Sequence, residues 1–278
     1  MKIKLFILIL TLSVFVFPKA QTHRFIYDVP YKKDSTSTIL TKENYILDIG
    51  PTETKYYTYD FFIADSLISN NIPFPKEMKL NTSDIIVHKN NSNAFSQYDL
   101  LENTVLNLQT TDIQNWKLSN ENKRVKELNL QKATTTWGGR NWTAWFTMDI
   151  PFQEGPYKFH GLPGLIVEIF DDKNNYHFQL AKSENKKALV ENQFIEMAIE
   201  MSVPITLEKY KTTKLKYYES PINFIKNGIG ETNSDQFFLN DGTFVNCKNS
   251  REINEQLKNI IKKYNNPIEL DKAIVYPK

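Results

Sequence analysis

His160, Glu168, Asp171, Asp172 and His177 crowd one stretch of the chain. Such side chains can form a carboxylate–imidazole pair, which serves as a general base or begins a metal site. Bringing them together needs a hairpin. Residues 165–170 and 176–181 have strand character, and Asp171-Asp172-Lys173-Asn174-Asn175 between them has the short polar side chains of a turn. Glu168 and His177 then share a face, where a cross-strand polar pair on the wet side of a sheet is the simpler reading. Asp171 and Asp172 read as turn residues, and His160 as a ring hydrogen-bonded to its own loop. His23 and His88 supply no second ligand at metal spacing. No Gly-x-Ser-x-Gly, His-Glu-x-x-His, phosphate loop or dinucleotide fingerprint occurs. The sequence therefore assigns no catalytic residue, no metal and no cofactor. A metal-dependent hydrolase built on His160 or His177 with Glu168, Asp171 or Asp172 stands as the minor alternative.

The segment just before is better suited to contact than to catalysis. Five of nine glycines and three of four tryptophans lie between Trp137 and Gly164. Residues 131–150 read as a hairpin turning at Gly138-Gly139. On its return strand Trp142, Ala144 and Phe146 share one face, while Trp145 lies on the other with Asn141, Thr143 and Thr147. Both faces carry a large aromatic, so either both are covered by protein or one stays open to a partner. Arg140 sits at the hairpin tip, either meeting an anion or solvated. Pro163-Gly164 is a type II turn signal, and Gly161 and Gly164 permit positive φ or close backbone approach. This corner is either purely architectural or a rigid contact loop. The candidate binding residues are Trp137, Arg140, Trp142, Trp145, Tyr157, His160, Leu162 and Pro163. The structural turn residues are Gly138, Gly139, Gly161, Pro163 and Gly164.

The same residues carry a family resemblance. Gly161-Leu162-Pro163-Gly164-Leu165-Ile166 stands with Gln131-Lys132-Ala133-Thr134, Trp142-Thr143-Ala144-Trp145-Phe146, Ile150-Pro151, Gly155-Pro156-Tyr157-Lys158-Phe159 and Asp171. This set resembles the GLPGLI family, most strongly from Gln131 to Asp172. The resemblance implies an exported protein of the Bacteroidota envelope and supplies no reaction, cofactor or catalytic residue. Where that family often has cysteine, this chain has Leu130.

The elements around this segment read as mainly β. Phe25–Tyr31, Lys55–Ile63, Asp84–His88 and Thr104–Gln109 suit strands. Thr206 reads as a cap for a helix from Leu207. Asn249 with Glu252 resembles a capping box, followed by Ile253, Leu257, Ile260, Ile261 and Tyr264 at helical spacing, an amphipathic helix over about 249–264 that would lie on a sheet face or edge. The expected architecture is a curved antiparallel sheet or half-open barrel with a few covering helices, as a single domain over residues 21–278. The alternative is α+β.

Residues 1–20 have a basic start, an apolar run from Leu5 to Phe17 and Ala20 at the end, which describes a secretory signal peptide. Without Lys2, Lys4 and Lys19 the 34 basic residues fall to 31 against 32 acidic ones. A near-neutral chain with no basic run lacks the footprint of a nucleic-acid binder. The lone Cys247 permits no internal disulfide, and its apolar neighbours suggest a buried thiol. No later segment is long and apolar enough to span a membrane. The sequence thus predicts a periplasmic or outer-membrane-associated protein that binds a hydrophobic ligand (a lipid or peptide) or an outer-membrane protein, without catalysis. An accessory factor of an outer-membrane transporter is the alternative.

Overall fold

Alternating side chains from Thr22 onward give the chain one buried and one wetter strand face, and twelve strands join into a single sheet. The computed structural model describes residues 21–73, 84–102, 104–186, 188, 190–228, 236–239 and 242–277; the expected leader, residues 1–20, lies outside them. The strands run β1 (Thr22–Tyr31), β2 (Thr41–Ile49), β3 (Glu53–Thr58), then helix α1 (Tyr59–Ser69), β4 (Asp84–Lys89), β5 (Ala94–Leu101), β6 (Thr104–Thr111), β7 (Lys117–Val125), β8 (Leu128–Trp137) and β9 (Arg140–Thr147). After a long loop come β10 (Leu165–Asp171), β11 (His177–Lys186), α2 (Gln193–Glu200), β12 (Val203–Ile205), α3 (Leu207–Glu219), α4 (Pro221–Gly228), the short pair β13 (Phe237–Phe238) and β14 (Phe244–Val245), and α5 (Ser250–Lys263). The sheet order is β12-β6-β5-β4-β3-β2-β1-β11-β10-β9-β8-β7. Every neighbour is antiparallel except β12, which runs parallel to β6. The sheet curves without closing, so β12 and β7 remain edges. The mainly β expectation holds.

Strand alternation sorts the core into two layers. The inner face carries Phe25, Tyr27, Leu47, Tyr56, Ile86 and Phe95 from one half, and Trp142, Phe146, Leu165 and Phe178 from the other, in one cluster. Each such side chain contributes about 1.5–3 kcal/mol when withdrawn from water. On the outer face of β2 to β5, Ile46, Tyr57, Ile85 and Tyr98 are covered by Phe61 and Ala64 of α1 and by Ile195 and Ala198 of α2. No helix of the described residues is long and apolar enough to cross a membrane.

Three local expectations change. Tyr59–Ile63, read as the end of a strand, is the first turn of α1. Thr58 accepts a hydrogen bond from the backbone NH of Asp60 at 3.4 Å, and Phe61 and Ala64 then fall on one buried helix face. The Asn249 capping box does not form. Its Oδ1 accepts from the backbone NH of Asn246 at 2.8 Å instead, turning the side chain back toward β14. The stripe of α5 packs Ile253 and Leu257 against Ile222 of α4 and Val245 of β14 rather than on the large sheet, leaving Ile260 and Tyr264 exposed. Cys247 is exposed as well, because it lies in the turn between β14 and α5. Thr206 caps α3 as expected, accepting from the backbone NH of Lys209 at 3.3 Å.

Candidate functional site

The connection from β9 to β10 is no simple corner. Residues 148–164 fold back onto the inner face of the sheet and plug its hollow. The plug is tied down by main-chain bonds: Leu165 NH to Ile150 O at 3.0 Å, Ile166 NH to Glu154 O at 3.0 Å and Gly161 NH to Gln153 O at 2.9 Å. Tyr27, deep in β1, donates its hydroxyl to Ile166 O at 2.7 Å. Phe159 is the centre of the plug. Its ring lies 4.7 Å from Trp142, 5.1 Å from Trp137 and 6.4 Å from Trp116, so most of the tryptophans serve to seat it. Pro163 and Gly161 are exposed at the bend, and Leu162 is buried. Gly164 NH donates to Leu162 O at 2.8 Å, a three-residue turn centred on Pro163 rather than the expected type II turn. Gly164 has no positive φ. It is required by contact, because a Cβ there would meet Thr147 O at 2.0 Å.

His160 is held inside this plug. Its Nδ1 faces Lys158 O at 3.1 Å, its Nε2 faces Asn93 Oδ1 at 3.0 Å, and its ring packs edge-on against Phe95 and His88. Burial lowers its pKa below the ordinary value. His88 is the opposite case. Its Nε2 donates to Ser92 O at 2.8 Å, and its Nδ1 lies 3.0 Å from Glu154 Oε2. Burial opposes charge here, but the hydrogen bond and charge of Glu154 outweigh it and raise the pKa above the ordinary 6.5. A His whose folded pKa is raised contributes stability that is complete below its unfolded pKa and lost as pH rises through the folded one. The stability gap between the wild type and Glu154→Gln is therefore expected to be wider at pH 6 than at pH 9 in thermal melts. A gap that is constant with pH contradicts an ion pair at this position.

Beside the plug lies a buried charge cluster that the sequence reading missed. Lys158 is fully buried, with its Nζ 2.6 Å from Glu269 Oε1 and 3.7 Å from Asp112 Oδ2. Lys272 pairs with the same two carboxylates, and Tyr157 donates its hydroxyl to Glu269 Oε1 at 2.8 Å. Burial alone would raise the Asp112 carboxyl; Lys158, Thr110 and Lys272 outweigh it and hold it below the usual range. Glu269 belongs to a C-terminal strap, residues 265–272, that crosses the Gly138-Gly139 turn. Leu270 NH donates to Gly138 O at 2.7 Å, and side chains at either glycine would press on Glu269 or Leu270. Both glycines have positive φ, 61° and 75°, which this two-residue hairpin requires.

Arg140, expected in water or at an anion, is 4% exposed and serves the strap instead. Its Nε donates to Ile268 O at 2.9 Å, its Nη2 to Pro267 O at 2.6 Å and Asn266 Oδ1 at 2.7 Å, and its Nη1 to Asp171 Oδ2 at 3.0 Å. Asp171 also accepts the backbone NH groups of Asn175 and Tyr176 at 2.6 and 2.8 Å, so it does close its turn, but from a buried position. His177 and Glu168 pair across the strands at 2.9 Å as expected. They lie on the outer face, where Lys123 also bonds Glu168 and stands 4.3 Å over the half-buried Trp145 ring. His160 and His177 thus sit on opposite faces of the sheet. Of the candidate binding residues, Trp137, Trp142, Tyr157, His160 and Leu162 gather on the inner side, and Trp145 stands apart on the outer one.

Between the inner sheet face, the strap and α3 remains a cavity of about 210 Å³. Tyr31, Tyr45, Tyr56, Tyr157, Tyr176 and Tyr210 wall it, with Val29, Leu108 and Leu207 as apolar floor and side. Two stacked ring pairs shape the walls: Tyr45 on Tyr56 at 5.0 Å and Tyr31 on Tyr176 at 5.5 Å. Asp84, Gln97, Glu269 and Lys272 are its polar groups. Of these wall residues only Tyr157 was legible as a site residue. Tyr31, Tyr45 and Tyr56 look like ordinary strand aromatics, and only the curvature brings them to the strap.

The fold thus defines an open, curved antiparallel sheet with a plugged hollow, and the same shape occurs elsewhere. A solved structure of PNGF-II in a P21 crystal form superposes with a TM-score of 0.50 at 17% identity, covering 69% of this chain and 33% of that one. A second, in C2, gives 0.47 at 16% identity, covering 67% and 31%. The chain spans about a third of the length of those proteins, and the likeness is one of fold. Residues 89–168 match the family model described as a protein of unknown function, Porph_ging. That stretch runs from the end of β4 through the plug into β10. No curated protein matches the chain.

Proposed function

We propose that this chain is an exported envelope protein that binds a small, largely apolar ligand in its tyrosine-walled cavity and does not transform it. The cavity itself carries the reading. It is the place where aromatic walls and a few convergent polar groups meet a rigid scaffold, built by the plug and strap. Support for export comes from the apolar run of residues 5–17 after Lys2 and Lys4. The matched stretch includes Gly161–Ile166, in keeping with the GLPGLI resemblance and its periplasmic or outer-membrane setting. Of the hydrolase pairings, His177 meets Glu168 at 2.9 Å on the outer face, where Lys123 also holds that carboxylate, while His160 lies on the other face against Lys158 O and Asn93 Oδ1. A role as accessory factor to an outer-membrane protein draws on a separate observation, the outer face around Trp145 and Phe170, on which no helix of the described residues joins a buried cluster.

Two measurements test the proposal. Cell fractionation is expected to find a chain beginning near Gln21 in the periplasmic or outer-membrane fraction; a full-length chain in the cytoplasm contradicts export. Titration with the neutral fluorophore 2-naphthol is expected to saturate at one site in the wild type and to fail in Leu207→Trp, which fills the cavity from α3. Equal binding by both proteins contradicts the assignment of the cavity.

A further inference from the structure

Among the described residues, the charges around the cavity do not balance. Lys158 and Lys272 are matched by Glu269 and Asp112, and Lys214 is matched by Asp99 at 2.5 Å. Asp84 lines the cavity and has no ion-pair partner among the described residues; its one direct bond is from the Gln97 amide at 3.2 Å. Directly across β4 and β5 its partner is another carboxylate, Asp99. Behind the cavity wall, Glu43 takes the Tyr45 hydroxyl at 3.0 Å on one oxygen; its buried Oε1 meets no described residue in hydrogen-bond geometry, and the Tyr31 hydroxyl acts on the same carboxylate. The charge of Lys33 acts on Glu43. A carboxylate without a direct ion pair, sharing a cavity with tyrosine rings, suits an organic cation, because ring faces attract positive charge within about 6 Å of their centres.

We propose that the cavity seats an organic ammonium group, with Asp84 as its counter-ion and the paired rings of Tyr45 with Tyr56 and Tyr31 with Tyr176 as its cage. This deepens, and rests on, the ligand-binding reading above. The tyrosines stay neutral hydroxyls, since burial, with nearby charges, pushes the pKa of Tyr31, Tyr56 and Tyr176 above the ordinary value. Burial and the charge of Asp99 push Asp84 up to about 6, opposed by Lys214, Gln97 and Lys158. Cation binding therefore requires Asp84 ionised and weakens as pH falls through that value.

Calorimetry at pH 8 with choline and its uncharged isostere 3,3-dimethyl-1-butanol tests this on the mature chain. Choline is expected to bind about tenfold more tightly than the isostere, a margin within the range of a desolvated cation–ring contact. Asp84→Asn, with an unchanged melting temperature, is expected to remove that margin while leaving the isostere's affinity as it was. Tyr56→Leu is expected to weaken choline more than the isostere. Equal affinity for both probes, or a margin that survives Asp84→Asn, overturns the cation assignment. If neither probe binds while 2-naphthol does, the cation assignment falls and the cavity stands; if nothing binds, both fall.

Discussion

Gly164→Ala is expected to destabilise the protein by more than about 4 kcal/mol, in the range reserved for severe packing faults. The added Cβ would lie 2.0 Å from Thr147 O and 2.6 Å from Thr147 C, backbone atoms of the paired strand β9 that cannot move aside. The plug would have to lift off the sheet at the point where Leu165 enters register with Thr147. Gly161→Ala, three residues earlier, is the internal control. Its φ of +85° carries strain, but nothing lies within 4 Å of its would-be Cβ, so a loss of about 1–3 kcal/mol is expected. Denaturant melts of the two variants separate contact from conformation. Equal losses show that Gly164 is not held by close approach.

Lys158→Ala is expected to cost about 3–5 kcal/mol, because it removes the fully buried cation between Glu269 and Asp112 and leaves both carboxylates to Lys272 alone. Glu269→Ala leaves Lys158 with Asp112 alone, at 3.7 Å, and removes the acceptor of the Tyr157 hydroxyl. The two losses should not add. Lys158→Met with Glu269→Leu replaces both partners by apolar side chains and is expected to recover much of either single loss, leaving Asp112 with Lys272. Limited proteolysis adds a local readout, since the single variants should open residues 265–272 to cleavage while the sheet persists. Additive losses contradict a coupled cluster, and protected strap residues contradict the anchoring role of Glu269.

The fold was legible wherever one face of a strand is buried and the other wet, as in β1, β6, β10 and β11. It was illegible where a short run served two elements. Five of the eight residues of Tyr56–Ile63 are aromatic, so neither period shows, and only the hydroxyl of Thr58 marks the switch to α1. Gly138, Gly139 and Gly161 have the positive φ that their residue type permits, whereas the constraint at Gly164 is a neighbouring carbonyl that no local sequence reveals. Arg140 and Asp171 appear in sequence as tip and turn residues. Their buried pairing depends on the strap, more than 90 residues away from either along the chain. Lys158 between Tyr157 and Phe159 was the one available hint, since a lysine in an apolar run must either snorkel or find a carboxylate. The cavity could not be read from sequence at all, because its walls come from β1, β2, β3, the plug, β11's approach and α3.

Native mass spectrometry of residues 21–278, purified gently from the envelope of its own cell, tests the ligand-binding claim most directly. The account predicts a stoichiometric extra mass that is released on denaturation and is absent from Leu207→Trp prepared in the same way. A bare polypeptide mass in the wild type, with no small molecule recovered from the denatured sample, would contradict it.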